Sequence, residues 1–320
     1  MPITTPAGPA GARIVSLGHY QPDYVVTNHD LIARGVETDD EWIKSRVGIA
    51  ERRFAQHESL LDMAEAASSK AIANSGIPAS DIDLVILATC TQLFAVPNGS
   101  AELAHRLGIT SPGAYDLNAA CAGFAYAVAA ASSAIMTGQA RNVLVVGAEK
   151  LSDWLDFTDR TTCIIFADGA GAAVITASDE IGIGPVVWGS DGANATAIST
   201  RPETHALIQD GQTVYRWATS TVGGVALEAC ERAGVRPDEL AAFVPHQANL
   251  RIIDMVAKKL GATNAAIARD IVTSGNTSSA SIPIAWSKML ERGEIPSGRP
   301  VLIVGFGAGL TYAGQVVLSP

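Results

Sequence analysis

The chain is short of charge. Of its 320 residues, 17% are Asp, Glu, Lys or Arg, while 48% are hydrophobic; an average domain carries about 25% charged residues. So thin a polar surface implies extensive burial, in a large core, a subunit interface or both, and oligomerisation is expected. Basic residues are the scarcer sign, 22 against 32 acidic, for a formal net charge of −10. That excludes general nucleic-acid binding, which needs a basic face. Cysteine is scarce too: four residues, with no C-x-x-C or His/Cys ligand spacing, make neither a disulfide framework nor a structural zinc site, and fit a reducing compartment. The amino terminus has neither the basic nor the apolar segment of a secretion signal. Residues 1–12 therefore read as a disordered tail, and the protein as cytoplasmic. The charge-free run 118–138 is dominated by Ala, Gly and Ser, which suits a helix packed inside protein rather than lipid, so no membrane span is expected.

What the chain does have is alternation. Apolar runs at Leu84–Ala88, 143–146, 163–166 and 301–304 alternate with helical stretches, the pattern of an α/β fold whose sheets are covered on both faces. The order strand, turn, helix, Arg-led strand, Gly occurs twice. It runs first from Asp116 through Cys121 to Arg141 and Gly147, then from Asp270 through Asn276 to Arg299 and Gly305. Two related halves are expected, 13–178 and 179–320, with site residues at corresponding ends of both. The G-x-G pieces at Gly169–Gly171 and Gly305–Gly307 lack the rest of a dinucleotide fingerprint and are not read as one.

Three segments carry chemistry. Cys121, in Asn118-Ala119-Ala120-Cys121-Ala122-Gly123, lies where a strand turns into an alanine-rich helix. The positive end of that helix is expected to favour thiolate, a nucleophile. His246 follows an apolar run in Val244-Pro245-His246-Gln247-Ala248-Asn249, and Asn276 lies in Ser274-Gly275-Asn276-Thr277-Ser278; either can donate a hydrogen bond to a developing oxyanion. Thr38-Asp39-Asp40-Glu41 reads as a capping box before a helix that sets Trp42 and Arg46 on one face, an indole and a guanidinium suited to an adenine ring and a phosphate. A helix is expected over 247–260, with Ile252, Ile253, Val256 and Leu260 as its apolar stripe and Arg251, Lys258 and Lys259 on its polar side, a local basic patch on an acidic chain.

With these residues in place the chain resembles the thiolase-fold condensing enzymes, and within them β-ketoacyl-acyl carrier protein synthase III. The motifs that carry the resemblance run from Asp40-Glu41-Trp42 through Ala119-Ala120-Cys121-Ala122-Gly123-Phe124, Asp159-Arg160, Ala167-Asp168-Gly169-Ala170-Gly171, Pro245-His246-Gln247-Ala248-Asn249 and Gly275-Asn276-Thr277-Ser278 to Gly305-Phe306-Gly307-Ala308-Gly309. It implies a thiolase-like αβαβα layered fold and a homodimer. It also implies a decarboxylating Claisen condensation of an acyl-coenzyme A primer with malonyl-acyl carrier protein, through an acyl group on Cys121. His246 and Asn276 would serve the decarboxylation, and backbone N–H groups at Cys121 and Ala308 would form a second oxyanion site. Family members often have Gly at the position of Ala308, so the alanine serves only with a negative φ.

The resemblance further implies that Trp42 and Arg160 sandwich the adenine, with Arg46 and Asn249 also on the coenzyme, and that Arg251, Lys258 and Lys259 dock the acidic carrier protein. Val96 and Phe306 would shape the acyl channel, Val96 from across the dimer interface, where its small size implies room for branched or medium chains. No cofactor or metal is expected, since acyl-coenzyme A is a substrate. A starter-unit condensing enzyme or acyltransferase of polyketide assembly shares these features and stays open as an alternative.

Overall fold

The runs Leu84–Ala88 and 143–146 lie side by side as parallel strands, Leu84 opposite Val143 and Ala88 opposite Gly147, in the computed structural model, which describes residue 3, residues 7–92, residue 94 and residues 96–320. They belong to a five-stranded sheet made of β1 (Gly11–Tyr20), β4 (Leu84–Ala88), β5 (Gly113–Leu117), β6 (Asn142–Lys150) and β7 (Asp168–Ser178), in the order β1-β7-β6-β4-β5. A second five-stranded sheet takes β8 (Val187–Ser190), β11 (Ala242–Pro245), β12 (Ala266–Ile267), β13 (Pro300–Gly307) and β14 (Thr311–Leu318), in the order β12-β11-β13-β14-β8. Both sheets share one pattern of directions. From β5 and from β12 inward, two parallel pairings are followed by two antiparallel ones. Two short ribbons complete the strands: β2 (Val25–Thr27) with β3 (Glu51–Arg53), and β9 (Ile198–Thr200) with β10 (Leu207–Gln209).

The helices Gly123–Met136 and Ser281–Glu291 fill the space between the sheets. Phe124, Val128 and Ile135 of the first and Ile282, Trp286 and Met289 of the second share one core with Val143, Val145, Val301 and Ile303. Phe124 and Trp286 are wholly buried, and truncating either to Ala would cost about 3–5 kcal/mol. Helix Leu60–Ser75 covers the far face of the first sheet, and helices Gly211–Ala233 and Leu250–Leu260 cover that of the second. The layers therefore run α, β, α, β, α, the thiolase-like arrangement. Sheets covered on both faces explain why β6 is buried at every position but its last.

Four expectations need correction. Residues 11 and 12, read as tail, are in β1, where Gly11 pairs with Ser178 and Ala12 is buried; residues 1, 2 and 4–6 lie outside the described residues. The run 163–166 is a turn, and only Phe166 makes a bridge, to Asn276; it is apolar because it packs in a core of its own. Asp39, not Thr38, caps helix Asp40–Val47, accepting from the Trp42 N–H at 2.7 Å. The helix expected from 247 begins at Leu250, because Asn249 caps it. No helix among the described residues is long and apolar enough to cross a membrane.

Candidate active site

Cys121 is held on a strained turn. After β5 the chain passes through a single 3₁₀ turn, Ala120–Ala122, into helix Gly123–Met136. Ala120 takes φ 45°, a left-handed conformation that costs an L-residue about 1–2 kcal/mol. The Asn118 side-chain carbonyl supports it by accepting the Ala120 N–H at 3.1 Å. The second sheet carries the same device. Ser278 takes φ 49° before helix Ser281–Glu291, and the Asn276 side-chain carbonyl accepts its N–H at 2.8 Å. This changes the reading of the repeat. Arg141 matches Arg299 and Gly147 matches Gly305; at that same spacing Cys121 matches Ser279, and Asn276 matches Asn118. Cys121 and Asn276 are therefore not equivalent positions.

Each turn rests on the other sheet. A Cβ on Gly147 would meet the Ser279 carbonyl oxygen at 2.6 Å, and one on Gly305 would meet the Ala122 Cα at 2.8 Å. Contacts this short exclude any side chain at either position. The Asn276 backbone is fixed in turn, its N–H donating to Ile165 O and its carbonyl accepting from the Ala167 N–H, both at 2.9 Å.

The Asn276 amide has a defined orientation, since its oxygen is held by the Ser278 N–H and its NH₂ is left as the free donor. His246 is 1% exposed, and burial pushes its pKa down to about 3, so the ring is neutral. Its Nδ1 lies 2.7 Å from Ser281 Oγ, which itself accepts the Gln247 N–H at 3.2 Å. With the Ser281 proton on Nδ1, Nε2 carries the N–H. The ring meets Phe306 edge to face, with centroids 5.3 Å apart.

Cys121 corrects an expectation. It is 8% exposed, and burial, reinforced by the Glu149 carboxylate, pushes its thiol up to about 11; the Ser278 hydroxyl and the backbone N–H groups of Cys121 and Ala308 oppose this without reversing it. Desolvation outweighs the helix end. Ala308 does not have a positive φ, so its alanine leaves the backbone donor in place.

Cys121, His246, Asn276 and Phe306 all line one pocket of about 800 Å³ that also reaches Trp42, Arg46, Asn249 and Arg251. The Arg160 guanidinium lies 4.8 Å from the Trp42 ring centroid and that of Arg46 5.9 Å away. A ring inserted between Trp42 and Arg160 needs about 7 Å, two van der Waals contacts, so Arg160 must swing aside to admit one. Asn249 is engaged at both ends, with the Arg251 N–H and with Arg46 O. Arg251 lies against Tyr215, with 5.0 Å from its guanidinium to the ring centroid. Lys258 and Lys259 are exposed on the same helix, and Arg269, paired with Asp254 at 2.9 Å, adds to that face. Val96 is 84% exposed and is not brought to the pocket within one chain. A wall at Gln209–Gln212 and Val214–Arg216 was not legible in the sequence; its signal was Asp210, which caps the helix that starts there. No group of three potential metal ligands occurs among the described residues.

Residues 115–192 match the family described as 3-oxoacyl-(acyl-carrier-protein) synthase III, and residues 230–318 match its C-terminal region. β-Ketoacyl-(acyl-carrier-protein) synthase III 4 of Streptomyces coelicolor is 53% identical over 316 residues, 97% of this chain and 99% of that protein. Among solved structures, a priming β-ketosynthase of a polyketide biosynthetic pathway superposes with a TM-score of 0.96 at 41% identity, covering 99% of this chain and 98% of that one. The 3-oxoacyl-(acyl-carrier-protein) synthase III of Aquifex aeolicus does so with a TM-score of 0.93 at 38% identity, covering 97% and 100%.

Proposed function

The chain belongs to the β-ketoacyl-acyl carrier protein synthase III family, and on that premise we propose that its pocket condenses an acyl-coenzyme A primer with malonyl-acyl carrier protein, with Cys121 carrying the acyl group. The protein is a condensing acyltransferase of fatty-acid synthesis. In the first step a bond forms between Cys121 Sγ and the acyl carbon, the thioester bond to coenzyme A breaks, and the thiol proton leaves on the coenzyme A sulfur. In the second, malonyl loses carbon dioxide and its thioester oxygen gains charge. His246 Nε2–H and the Asn276 NH₂ receive that oxygen, each worth about 3–4 kcal/mol in comparable sites. The enolate carbon then bonds to the acyl carbon, whose oxygen the N–H groups of Cys121 and Ala308 receive; the thioester bond to Cys121 breaks, and the departing thiolate regains a proton from solvent.

The observation that carries this reading is the fixed direction of the two donors. Ser278 N–H holds the Asn276 oxygen and Ser281 holds His246 Nδ1, so both remaining donors are available to the pocket that Cys121 lines. The test separates the half-reactions. His246→Ala and Asn276→Ala are each expected to lower malonyl decarboxylation by about 10²–10³-fold while Cys121 still accepts the acyl group. Equal loss of acylation would refute the assignment.

Trp42, Arg46, Arg160 and Asn249 form the coenzyme end of the pocket in this reading, and Arg251, Lys258 and Lys259 the carrier-protein face. Residues 13–178 and 179–320 are two related halves, a division supported by the shared strand pattern of the sheets. A homodimer would bring Val96 of a second copy to the pocket, where Phe306 already stands. The similarity to a priming β-ketosynthase favours a second reading, a starter-unit condensing enzyme of polyketide assembly. Relative rates with fatty-acid and polyketide carrier proteins would distinguish the two.

A further inference from the structure

Glu149 is a wholly buried carboxylate for which the condensation reaction has no direct use. It stands near the end of β6 at the position that matches Gly307 of β13, at the spacing that pairs Gly147 with Gly305. The two positions serve opposite ends. Gly307 leaves space beside Cys121, whereas Glu149 fills the equivalent space beside Ser279, whose Oγ lies 2.9 Å from Glu149 Oε1. One turn is open to the pocket, and its counterpart is closed by a side chain.

Most polar neighbours of that carboxylate are donors; Ser279 Oγ shares its one proton with the Ala88 carbonyl, also at 2.9 Å. Thr89 Oγ1 donates at 3.1 Å, the Cys90 and Thr91 N–H groups at 3.1 Å, Thr91 Oγ1 at 2.6 Å and Ser278 Oγ at 3.0 Å, while Cys90 Sγ lies at 3.5 Å. The bonds join the loop after β4 in the first sheet to the 278–279 turn of the second. Ser278 is the residue in the left-handed conformation whose N–H fixes the Asn276 amide. A left-handed serine persists only where its surroundings hold it, and Glu149 is the group that grips its hydroxyl.

We infer that Glu149 is a positioning residue for the reaction: it locks the Ser278 turn and so aims the Asn276 NH₂ into the pocket. The inference rests on the role proposed above for Asn276. Glutamine at 149 keeps the shape but turns an NH₂ group toward a set of donors, so the lock is lost with little change in volume.

The experiment measures malonyl-carrier-protein decarboxylation and Cys121 acylation by acetyl-coenzyme A separately, in Glu149→Gln, Ser278→Ala, Asn276→Ala and the double variant Glu149→Gln/Asn276→Ala. Glu149→Gln is expected to slow decarboxylation by about tenfold to a hundredfold, with acylation not slowed, since losing the Glu149 charge eases ionisation of Cys121. The double variant is expected to be no slower than Asn276→Ala alone, because both changes remove the same donor. Additive losses in the double variant would overturn the inference. So would normal decarboxylation in Glu149→Gln when Asn276→Ala is defective, which would leave the proposed function standing. Normal decarboxylation in Asn276→Ala would instead remove the proposed function, and this inference with it. If Glu149→Gln unfolds or loses both steps alike, Ser278→Ala decides: because its hydroxyl also acts on the Cys121 thiol, a loss of decarboxylation well beyond its loss of acylation upholds the lock, and an equal loss or an unaffected rate refutes it.

Discussion

A Cβ at position 307 would lie 2.6 Å from the Cys121 Cβ and 2.9 Å from its sulfur, so the thiol has its place only because residue 307 is glycine. Gly307 is not in the left-handed region, and space alone restricts it. Gly307→Ala is expected to fold and to displace the thiol, slowing acyl transfer to Cys121 by about a hundredfold. Acylation followed by mass, with the melting temperature as control, checks this; near-normal acylation would show that the turn can yield.

The buried thiol sets a pH dependence. With a pKa of about 11, roughly one Cys121 in ten thousand is thiolate at pH 7. Alkylation by iodoacetamide, corrected with Cys121→Ser, is expected to accelerate about tenfold per pH unit from 7 to 10. A plateau below pH 8 would mean that the helix end, rather than burial, governs this thiol.

His246 makes the fold acid-sensitive. Its pKa falls from 6.5 to about 3 on folding, so below pH 6.5 the unfolded chain takes up a proton that the folded one refuses. Its contribution is complete above pH 6.5 and is lost at about 1.4 kcal/mol per pH unit as pH falls toward 3. Asp168, raised by burial from 3.8 to about 6, works the other way: the folded chain protonates first and gains stability as pH falls through 6. Comparison with His246→Gln isolates the histidine. Between pH 7 and 5, urea unfolding is expected to show the parent losing about 2 kcal/mol more than the variant. Parallel pH dependences would contradict a buried neutral ring.

Lys258 and Lys259 stand exposed on helix Leu250–Leu260, outside the lining of the pocket that holds Cys121. Lys258→Glu with Lys259→Glu is expected to lower kcat/KM for malonyl carrier protein by about tenfold at low salt, an effect that shrinks as salt rises, while acylation by acyl-coenzyme A stays within about twofold. Equal loss in both half-reactions would rule out a docking role.

Much of this was legible in the sequence, and the misses share a cause. Leu84–Ala88 and the runs inside β6 and β13 stood out because sheets covered on both faces need apolar residues at nearly every position. Cys121, His246 and Asn276 stood out by their neighbours. Asp116 and Asp270 suggest a register for the repeat, but they are chemically alike and structurally unrelated. The true register is set by Gly147 and Gly305, where the other half's backbone approaches too closely for a side chain. Glu149 is silent in the sequence because its meaning lies wholly in partners from 58 to 130 positions away. The direction of the Cys121 shift is not legible in the sequence, because the helix end is local and visible whereas desolvation comes from residues distant in the chain.

The most direct test is the intact mass of the protein after incubation with acetyl-, isobutyryl- and octanoyl-coenzyme A, with Cys121→Ser alongside, followed by malonyl-acyl carrier protein. An acyl adduct absent from Cys121→Ser, stable until malonyl carrier protein is added and then discharged as a ketoacyl product with loss of carbon dioxide, is the expected result. An adduct that decays to free acid without malonyl carrier protein, or that passes to an acceptor with no carbon dioxide released, would contradict condensation at Cys121.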